Sequence, residues 1–154
     1  MDTLVSAFGA DESIAEEQLQ VVVFKLGIEE YAVEILHVQE IKKLLTITRV
    51  PRAEHYIEGV VNLRGNIIPI INLHTRFSLQ TQGPEDDKRI IVFQIDELKV
   101  GVIVDAVLEV VHLRRNEIDD ATKLYESTNV DHILGVIQKE NRLLILLNLK
   151  KILD

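Results

Sequence analysis

The sequence lacks the residues and segments on which several classes of protein depend. It contains no cysteine, which excludes disulfide bonds and thiolate metal sites. No apolar stretch approaches the roughly 18–20 residues that a helix needs to cross a bilayer. The start, Met1-Asp2-Thr3, has no basic region, so we expect no signal peptide and a cytoplasmic protein.

Positive charge and aromatic side chains are also scarce. The formal net charge is −8, and the aromatic residues are four Phe and three Tyr. Nucleic-acid affinity depends largely on neutralised phosphates, and single strands are usually held by aromatic stacking. A nucleic-acid-binding protein is therefore a remote alternative, and a protein partner is favoured.

What is present is typical of a folded globular protein. The chain has 154 residues, of which 47% are hydrophobic and 27% charged, enough for one ordinary domain or two very small ones. Residues 1–18 are acidic and rich in Ala and Ser, and we expect them to form a mobile tail before a domain over 19–154.

The most informative feature is an internal repeat. Residues 21–41 align with residues 90–110 at a constant offset of 69 positions, and residues 59–73 align with 135–149 at an offset of 76. Apolar positions agree in both alignments. The polar insert differs, since Leu63-Arg64-Gly65 is aligned with Lys139-Glu140-Asn141. Shared positions indicate a shared fold, and the positions that differ are candidates for function.

Each copy contains about five short strand-like segments bounded by turn residues, the spacing of all-β barrels. We therefore predict an all-β protein with short helical turns. It would have two small barrels, the first over about 19–82 and the second over about 88–154, with exchange of strands between them as an open alternative. Gly65-Asn66 predicts a type II′ hairpin, and Pro69 places the following strand at an edge or bulge.

Recognisable catalytic patterns are missing. The five histidines are scattered without the i, i+4 spacing of a helical zinc pair, and there is no phosphate-binding loop or nucleophile elbow. We expect no enzyme activity, metal or cofactor. The alternative is a small-ligand-binding or catalytic barrel, which would need an enclosed pocket where His74 or His112 meets carboxylates.

Arg64 is the residue that a purely structural interpretation explains least well. It precedes a tight turn between apolar segments, and the other copy has Glu140 there. A surface arginine is common, but a guanidinium on a rigid hairpin can also bind a partner's carboxylates or carbonyls. The repeat alone leaves these two interpretations level.

The segment GVVNLRGNIIPIINL, residues 59–73, strongly resembles the central signature of the CheW family of bacterial chemotaxis coupling proteins. The likeness extends upstream to residues 31–41 and downstream to 101–107 and 133–149, and so covers residues 19–154. One departure is Asn72, where the family often has Asp; Asn148 holds the paired position.

The resemblance implies a fold and a function. The family has two intertwined five-stranded SH3-like barrels, and its members are non-catalytic adaptors. They link the cytoplasmic tips of methyl-accepting chemoreceptors to the regulatory domain of the histidine kinase CheA. They would meet the membrane only indirectly, in receptor–kinase arrays. An adaptor of a related motility or two-component pathway is an equally compatible alternative.

The resemblance also implies two binding surfaces. The receptor tip would lie in a groove between the barrels, and the kinase would pack on the first barrel. The receptor-binding candidates are Arg64, Asn62, Gly59, Glu40 and Val107, and the kinase-binding candidates are Val22, Ile35, Val38 and Ile41. For Ile35 and Ile41, the excess of apolar side chains in this segment independently suggests an exposed interface patch.

Overall fold

A computed structural model describes residues 18–120 and 132–153. Of the tail predicted for residues 1–18, residues 1–17 lie outside these ranges, whereas Gln18 already belongs to the first strand. In chain order the strands are β1 Gln18–Leu26, β2 Glu29–Glu34, β3 Val38–Lys43, β4 Ile57–Leu63, β5 Asn66–Asn72, β6 Arg89–Ile95, β7 Leu98–Val104, β8 Ala106–Arg114, β9 Ile118–Asp120, β10 Ile133–Lys139 and β11 Arg142–Leu147.

The helical elements are short, as expected. They are the α-helices α1 Leu73–Phe77 and α2 Leu149–Leu153, and 3₁₀ turns at Ile35–His37, Glu85–Asp87 and Arg115–Glu117. Asn72 and Asn148 play the same role in the two copies, since each side-chain oxygen accepts a hydrogen bond from a backbone N–H of the following helix (Thr75, 3.2 Å; Lys151, 3.4 Å). An Asn therefore suffices to cap the helix at the position where the family often has Asp. No helix in the described ranges is long and apolar enough to span a bilayer.

The strands form two sheets, and each sheet takes strands from both copies of the repeat. One has the order β9-β10-β11-β2-β1-β8 and the other β3-β6-β7-β5-β4. Strands from different copies meet through two parallel pairs, β2 with β11 and β5 with β7, and two antiparallel pairs, β1 with β8 and β3 with β6. We call the units the six-stranded barrel (β1, β2, β8–β11, α2) and the five-stranded barrel (β3–β7, α1). The chain crosses between them at residues 35–37 and again at Asp105.

Both sheets close by the same device. The chain leaving β8 continues into β9, which pairs with β10 at the far edge of the same sheet. The chain leaving β3 likewise reaches β4, through a bridge between Thr48 and Val60. A glycine permits each close approach: a Cβ on Gly59 would lie 2.2 Å from the Thr48 carbonyl oxygen, and one on Gly135 would lie 2.5 Å from that of Asp119. Repeat-related glycines thus allow each barrel to close.

The core has three parts. Each barrel has its own filled interior, and a larger apolar cluster lies between the barrels. Strand β1 contributes to two of them, because Val21 and Val23 face the six-stranded interior while Val22 and Phe24 face the shared cluster. This alternation follows from the two-residue period of a strand and explains why residues 21–24 of β1 form a continuous apolar run.

Two local predictions are corrected. Strand β5 lies inside its sheet and not at an edge; Pro69 is tolerated because the ladder to β7 begins one residue later, at Ile70. One sheet also has six strands, not five, because the 3₁₀ turn Arg115–Glu117 separates β8 from the three-residue β9.

Candidate functional site

The hairpin between β4 and β5 differs from the predicted turn in type and position. The two loop residues are Arg64 and Gly65, with φ angles of 53° and 86°. Positive φ at both central residues is the pattern of a type I′ turn, whose twist matches that of the flanking strands. A non-glycine residue in this region is uncommon and costs roughly 1 kcal/mol, so the fold holds Arg64 in place against a local preference.

Arg64 projects from this tip and forms an ion pair with Glu40 on β3. The Arg64 side chain is 66% exposed and that of Glu40 is 19% exposed. Asn62 supports the same tip, because its Oδ1 accepts a hydrogen bond of 2.9 Å from the Gly65 N–H. The structure therefore brings three of the receptor-binding candidates together. Since an exposed ion pair contributes only about 0–1 kcal/mol, Arg64 can exchange Glu40 for a partner's acceptor at little cost.

The repeat-related hairpin has the same backbone and different chemistry. Its loop residues, Glu140 and Asn141, have φ angles of 53° and 65°. The arginine of this hairpin is Arg142, at the start of β11, which donates to Glu30 at 2.6 Å and to Glu109 at 2.6 Å. These two carboxylates raise the pKa of Arg142. Its guanidinium is thus held by two partners, while Arg64 has one.

Strand β3 presents two different faces. After a register shift between Val38 and Glu40, the partly buried positions Glu40 and Lys42 alternate with the exposed positions Ile41 and Lys43. Glu40 and Ile41 are consecutive, so they point to opposite faces of the strand. One strand therefore carries the partner of Arg64 on one side and an apolar side chain, 41% exposed, on the other.

The other kinase-binding candidates are less accessible than Ile41. Ile35 and Val38 are partly buried and pack against the shared cluster between the barrels. Sequence reasoning missed Leu36, which is 85% exposed in the turn Ile35–His37 that ends β2, and Leu44, which is 36% exposed just after β3. A comparison of the copies could have identified Leu36, since it is aligned with Asp105 in an otherwise apolar segment.

Two candidates are buried and a third stands apart. Val22 is 2% exposed inside the shared cluster, so it is a core residue and offers no surface to a partner. Gly59 is also buried, where it permits closure of the five-stranded barrel, so any effect on binding would be indirect. Val107 is partly buried on β8, at the position that repeats Val38, and belongs to the six-stranded barrel.

A buried polar cluster lies where the chain passes from β7 to β8. Asp105 is 2% exposed, and its carboxylate accepts hydrogen bonds from the Gly27 N–H at 2.8 Å and from Thr81 Oγ1 at 2.7 Å. His74 Nε2 lies 2.9 Å from the same carboxylate. Burial by itself raises the pKa of Asp105, but the hydrogen bonds from His74, Thr81 and Gly27 outweigh it and hold the pKa below its usual value.

The histidines do not form the pocket that a small-ligand barrel needs. His74 is packed against Asp105, and His112 lines an open surface groove of about 620 Å³. The barrel interiors are filled by apolar side chains. Within residues 18–120 and 132–153, no group of three or more histidine and carboxylate side chains is arranged to hold a metal ion.

Comparison with known proteins agrees with this architecture. The family model described as the CheW-like domain matches residues 20–154, which include both barrels. The chain belongs to the CheW family. Two relatives, both called chemotaxis protein CheW, come from Treponema pallidum (33% identity, 91% of this chain and 85% of the relative) and Helicobacter pylori (34% identity, 94% and 87%).

A solved structure supports the fold of this CheW-family chain. The crystal structure of the scaffolding protein TtCheW from Thermoanaerobacter tengcongensis superposes with a TM-score of 0.79 at 36% identity. The alignment covers 85% of this chain and 84% of that protein. The two-barrel arrangement predicted from the repeat is thereby confirmed.

Proposed function

We propose that this chain is a non-catalytic adaptor of bacterial chemotaxis that couples the cytoplasmic tips of chemoreceptors to the regulatory domain of the kinase CheA. It would act in the cytoplasm, in receptor–kinase arrays at the membrane. Membership of the CheW family and likeness to a scaffolding protein support this role. The observation that carries the proposal is that Glu40 and Ile41 lie on opposite faces of β3, which supports one surface on each face.

The receptor surface is proposed around the tip of the β4–β5 hairpin. Arg64 is exposed and held by one carboxylate, while Asn62 and Glu40 fix the tip and the guanidinium. Arginine is enriched among the few interface residues that dominate binding energy, partly because its guanidinium can bind two acceptors at once. Val107 would contribute from the other barrel, so the receptor would contact both barrels.

The kinase surface is proposed on the opposite face of β3. Ile41 and the neighbouring Leu36 and Leu44 expose apolar surface, and the outer parts of Ile35 and Val38 lie in the same two segments. An exposed apolar patch is the usual mark of a protein interface. Val22 is excluded from this surface because it is buried.

The mechanism is positional. An adaptor that binds receptor and kinase at separate surfaces holds them at high effective concentration without changing any covalent bond. A conformational change in the receptor can then bias the kinase between its two conformational states. The size of this bias is set by how differently the bound receptor and adaptor interact with the two kinase states.

Two substitutions test the proposal by affecting one partner each. Arg64→Glu should abolish binding of a receptor-tip fragment and leave binding of the kinase regulatory domain intact. Ile41→Arg should have the opposite effect. Both affinities are measured by isothermal titration with purified partners. Glu140→Arg on the related hairpin and Ile28→Arg, at a position 76% exposed between β1 and β2, are the matched controls.

The proposal fails if the unaltered chain binds neither partner, or if each substitution weakens both partners equally. Thermal unfolding of each variant separates lost contacts from lost structure. The related-pathway alternative is tested by the same titration with receptor fragments from chemotaxis and from surface-motility systems. Tight binding only to the motility receptor would assign the chain to that pathway.

A further inference from the structure

The two places where the chain crosses between the barrels are built differently. The first crossing is the 3₁₀ turn Ile35–His37, and the second is the single residue Asp105 between β7 and β8. Leu36 and Asp105 are aligned in the repeat. Leu36 is 85% exposed and apolar, while Asp105 is 2% exposed and ionisable. Repeat-related positions have thus diverged completely, although the surrounding strands remain equivalent.

Asp105 joins three parts of the molecule that are far apart in sequence. Its backbone N–H donates to the Lys25 carbonyl oxygen of β1 at 2.9 Å. Its carboxylate accepts from the Gly27 N–H in the β1–β2 turn of the six-stranded barrel. The same carboxylate meets His74 of α1, in the five-stranded barrel, and accepts from Thr81 in the segment between the copies.

The apolar cluster between the barrels fixes the angle between them less precisely than the hydrogen bonds of Asp105 do. Apolar contacts are non-directional, whereas hydrogen bonds to a carboxylate have defined geometry and are stronger than those between neutral groups. Breaking such a buried arrangement leaves donors without partners, so the contacts form and break as a unit. The Asp105 cluster is therefore a directional connection between the barrels.

We propose that Asp105 is a positioning residue for receptor binding, which fixes the relative orientation of the two barrels through His74, Gly27 and Thr81. The inference rests on the proposed function, because the receptor surface combines Arg64 of one barrel with Val107 of the other. Val107 follows Asp105 by two residues on the same segment. The kinase surface differs in this respect, since Ile41 and Leu44 lie on the five-stranded barrel and its continuation, and Leu36 lies in the turn that leads into that barrel.

This arrangement makes an asymmetric prediction. A ligand that contacts both barrels must select the correct orientation, and its apparent affinity falls with the population of that orientation. A ligand that contacts one barrel is unaffected. Asp105→Asn should therefore lower the affinity for the receptor tip by about tenfold, which is within the usual range of coupling between sites. The affinity for the kinase should change little.

The orientation itself can be measured without any partner. The chain has no cysteine, so Glu97→Cys and Gln138→Cys place one spin label on each barrel at exposed positions. Pulsed electron spin resonance should give a narrow distance distribution for the otherwise unaltered chain and a broad one with Asp105→Asn. Thr81→Val removes one of the carboxylate's hydrogen bonds and should give a distance distribution of intermediate width. This variant serves as the test if Asp105→Asn does not fold. Asp87→Asn, at an exposed carboxylate in the same connecting segment, is the control.

The inference is overturned if the distance distribution of both variants stays narrow, or if receptor and kinase affinities fall together. A failure of the proposed function looks different, because the unaltered chain would then not bind the receptor tip while the spin-label distances would still respond to Asp105→Asn.

Discussion

The two copies of the repeat place the same hairpin on the two barrels, with opposite charge at its tip. Arg64 and Glu140 share a φ of 53° and the same place in the turn, yet one tip presents a guanidinium and the other a carboxylate. The arginines of the two hairpins also differ in their exposure and in the number of their carboxylate partners. Arg142 is 30% exposed and held by Glu30 and Glu109, while Arg64 is 66% exposed and held by Glu40 alone.

This comparison separates what the fold requires from what a partner requires. The closing glycines, the helix-capping asparagines and the type I′ turns occur in both copies, so they belong to the fold. The exposed guanidinium of Arg64, which has a single partner, and the buried carboxylate of Asp105 occur in one copy each. Residues of the second kind are where the function is expected, and the predictions below test this division.

The largest expected effect on stability belongs to the crossing at Asp105. Asp105→Asn weakens hydrogen bonds to a buried charge and should lower the free energy of unfolding by about 3 kcal/mol near pH 7. Because the folded state lowers the pKa of Asp105, its stabilisation is complete above the pKa of the unfolded chain and is lost as the pH falls through the folded pKa. The difference between the two proteins in urea unfolding should therefore shrink as the pH falls below about 4, the ordinary range of an aspartate pKa. A difference that grows below that pH would contradict the assignment.

The closing glycines should have the next largest effect, and it should be larger for Gly59. Gly59→Ala and Gly135→Ala both force a methyl group against a backbone carbonyl, which should cost about 2 kcal/mol in chemical unfolding for Gly135→Ala and somewhat more for Gly59→Ala, because the φ of Gly59 is 154°. Gly83→Ala is the control, because a Cβ there meets nothing within 4 Å and only the positive φ is strained. If Gly59→Ala instead keeps its stability and loses receptor binding, then Gly59 belongs to the binding surface and not to the fold.

The smallest expected effect separates the two arginines. Arg142→Gln should lower the free energy of unfolding by about 1 kcal/mol at low salt, because two carboxylates lose their partner. Arg64→Gln should cost less, and both effects should decrease at high ionic strength, where exposed charges are screened. Equal losses at the two positions would mean that Arg64 is as structural as Arg142.

Local pattern was sufficient for the elements and for the exposed position of Arg64 on a hairpin, and insufficient for the connections between the elements. The repeat, the short strands and the final helix follow from the spacing of apolar and turn residues in a single segment. The exchange of strands depends on pairing between β2 and β11 and between β5 and β7, which are distant in sequence and leave no local signal.

The same limit explains the candidates that the structure changed. Val22 lies in an apolar run that fits either a surface patch or a strand buried on both faces, and only the packing of the second barrel decides between them. Leu36 and Asp105 were both visible as differences between the copies, at aligned positions. Their burial, and hence their roles, required the crossings to be placed in space.

The central claim is that the hairpin tips share a geometry and differ in partner recognition. It is tested most directly by titrating a chemoreceptor-tip fragment into Arg64→Ala and Glu140→Ala and comparing both with the unaltered chain. We predict a loss of about 2 kcal/mol in binding free energy, roughly 30-fold in affinity, for Arg64→Ala, and no measurable loss for Glu140→Ala. Equal affinities for the two variants would contradict the account.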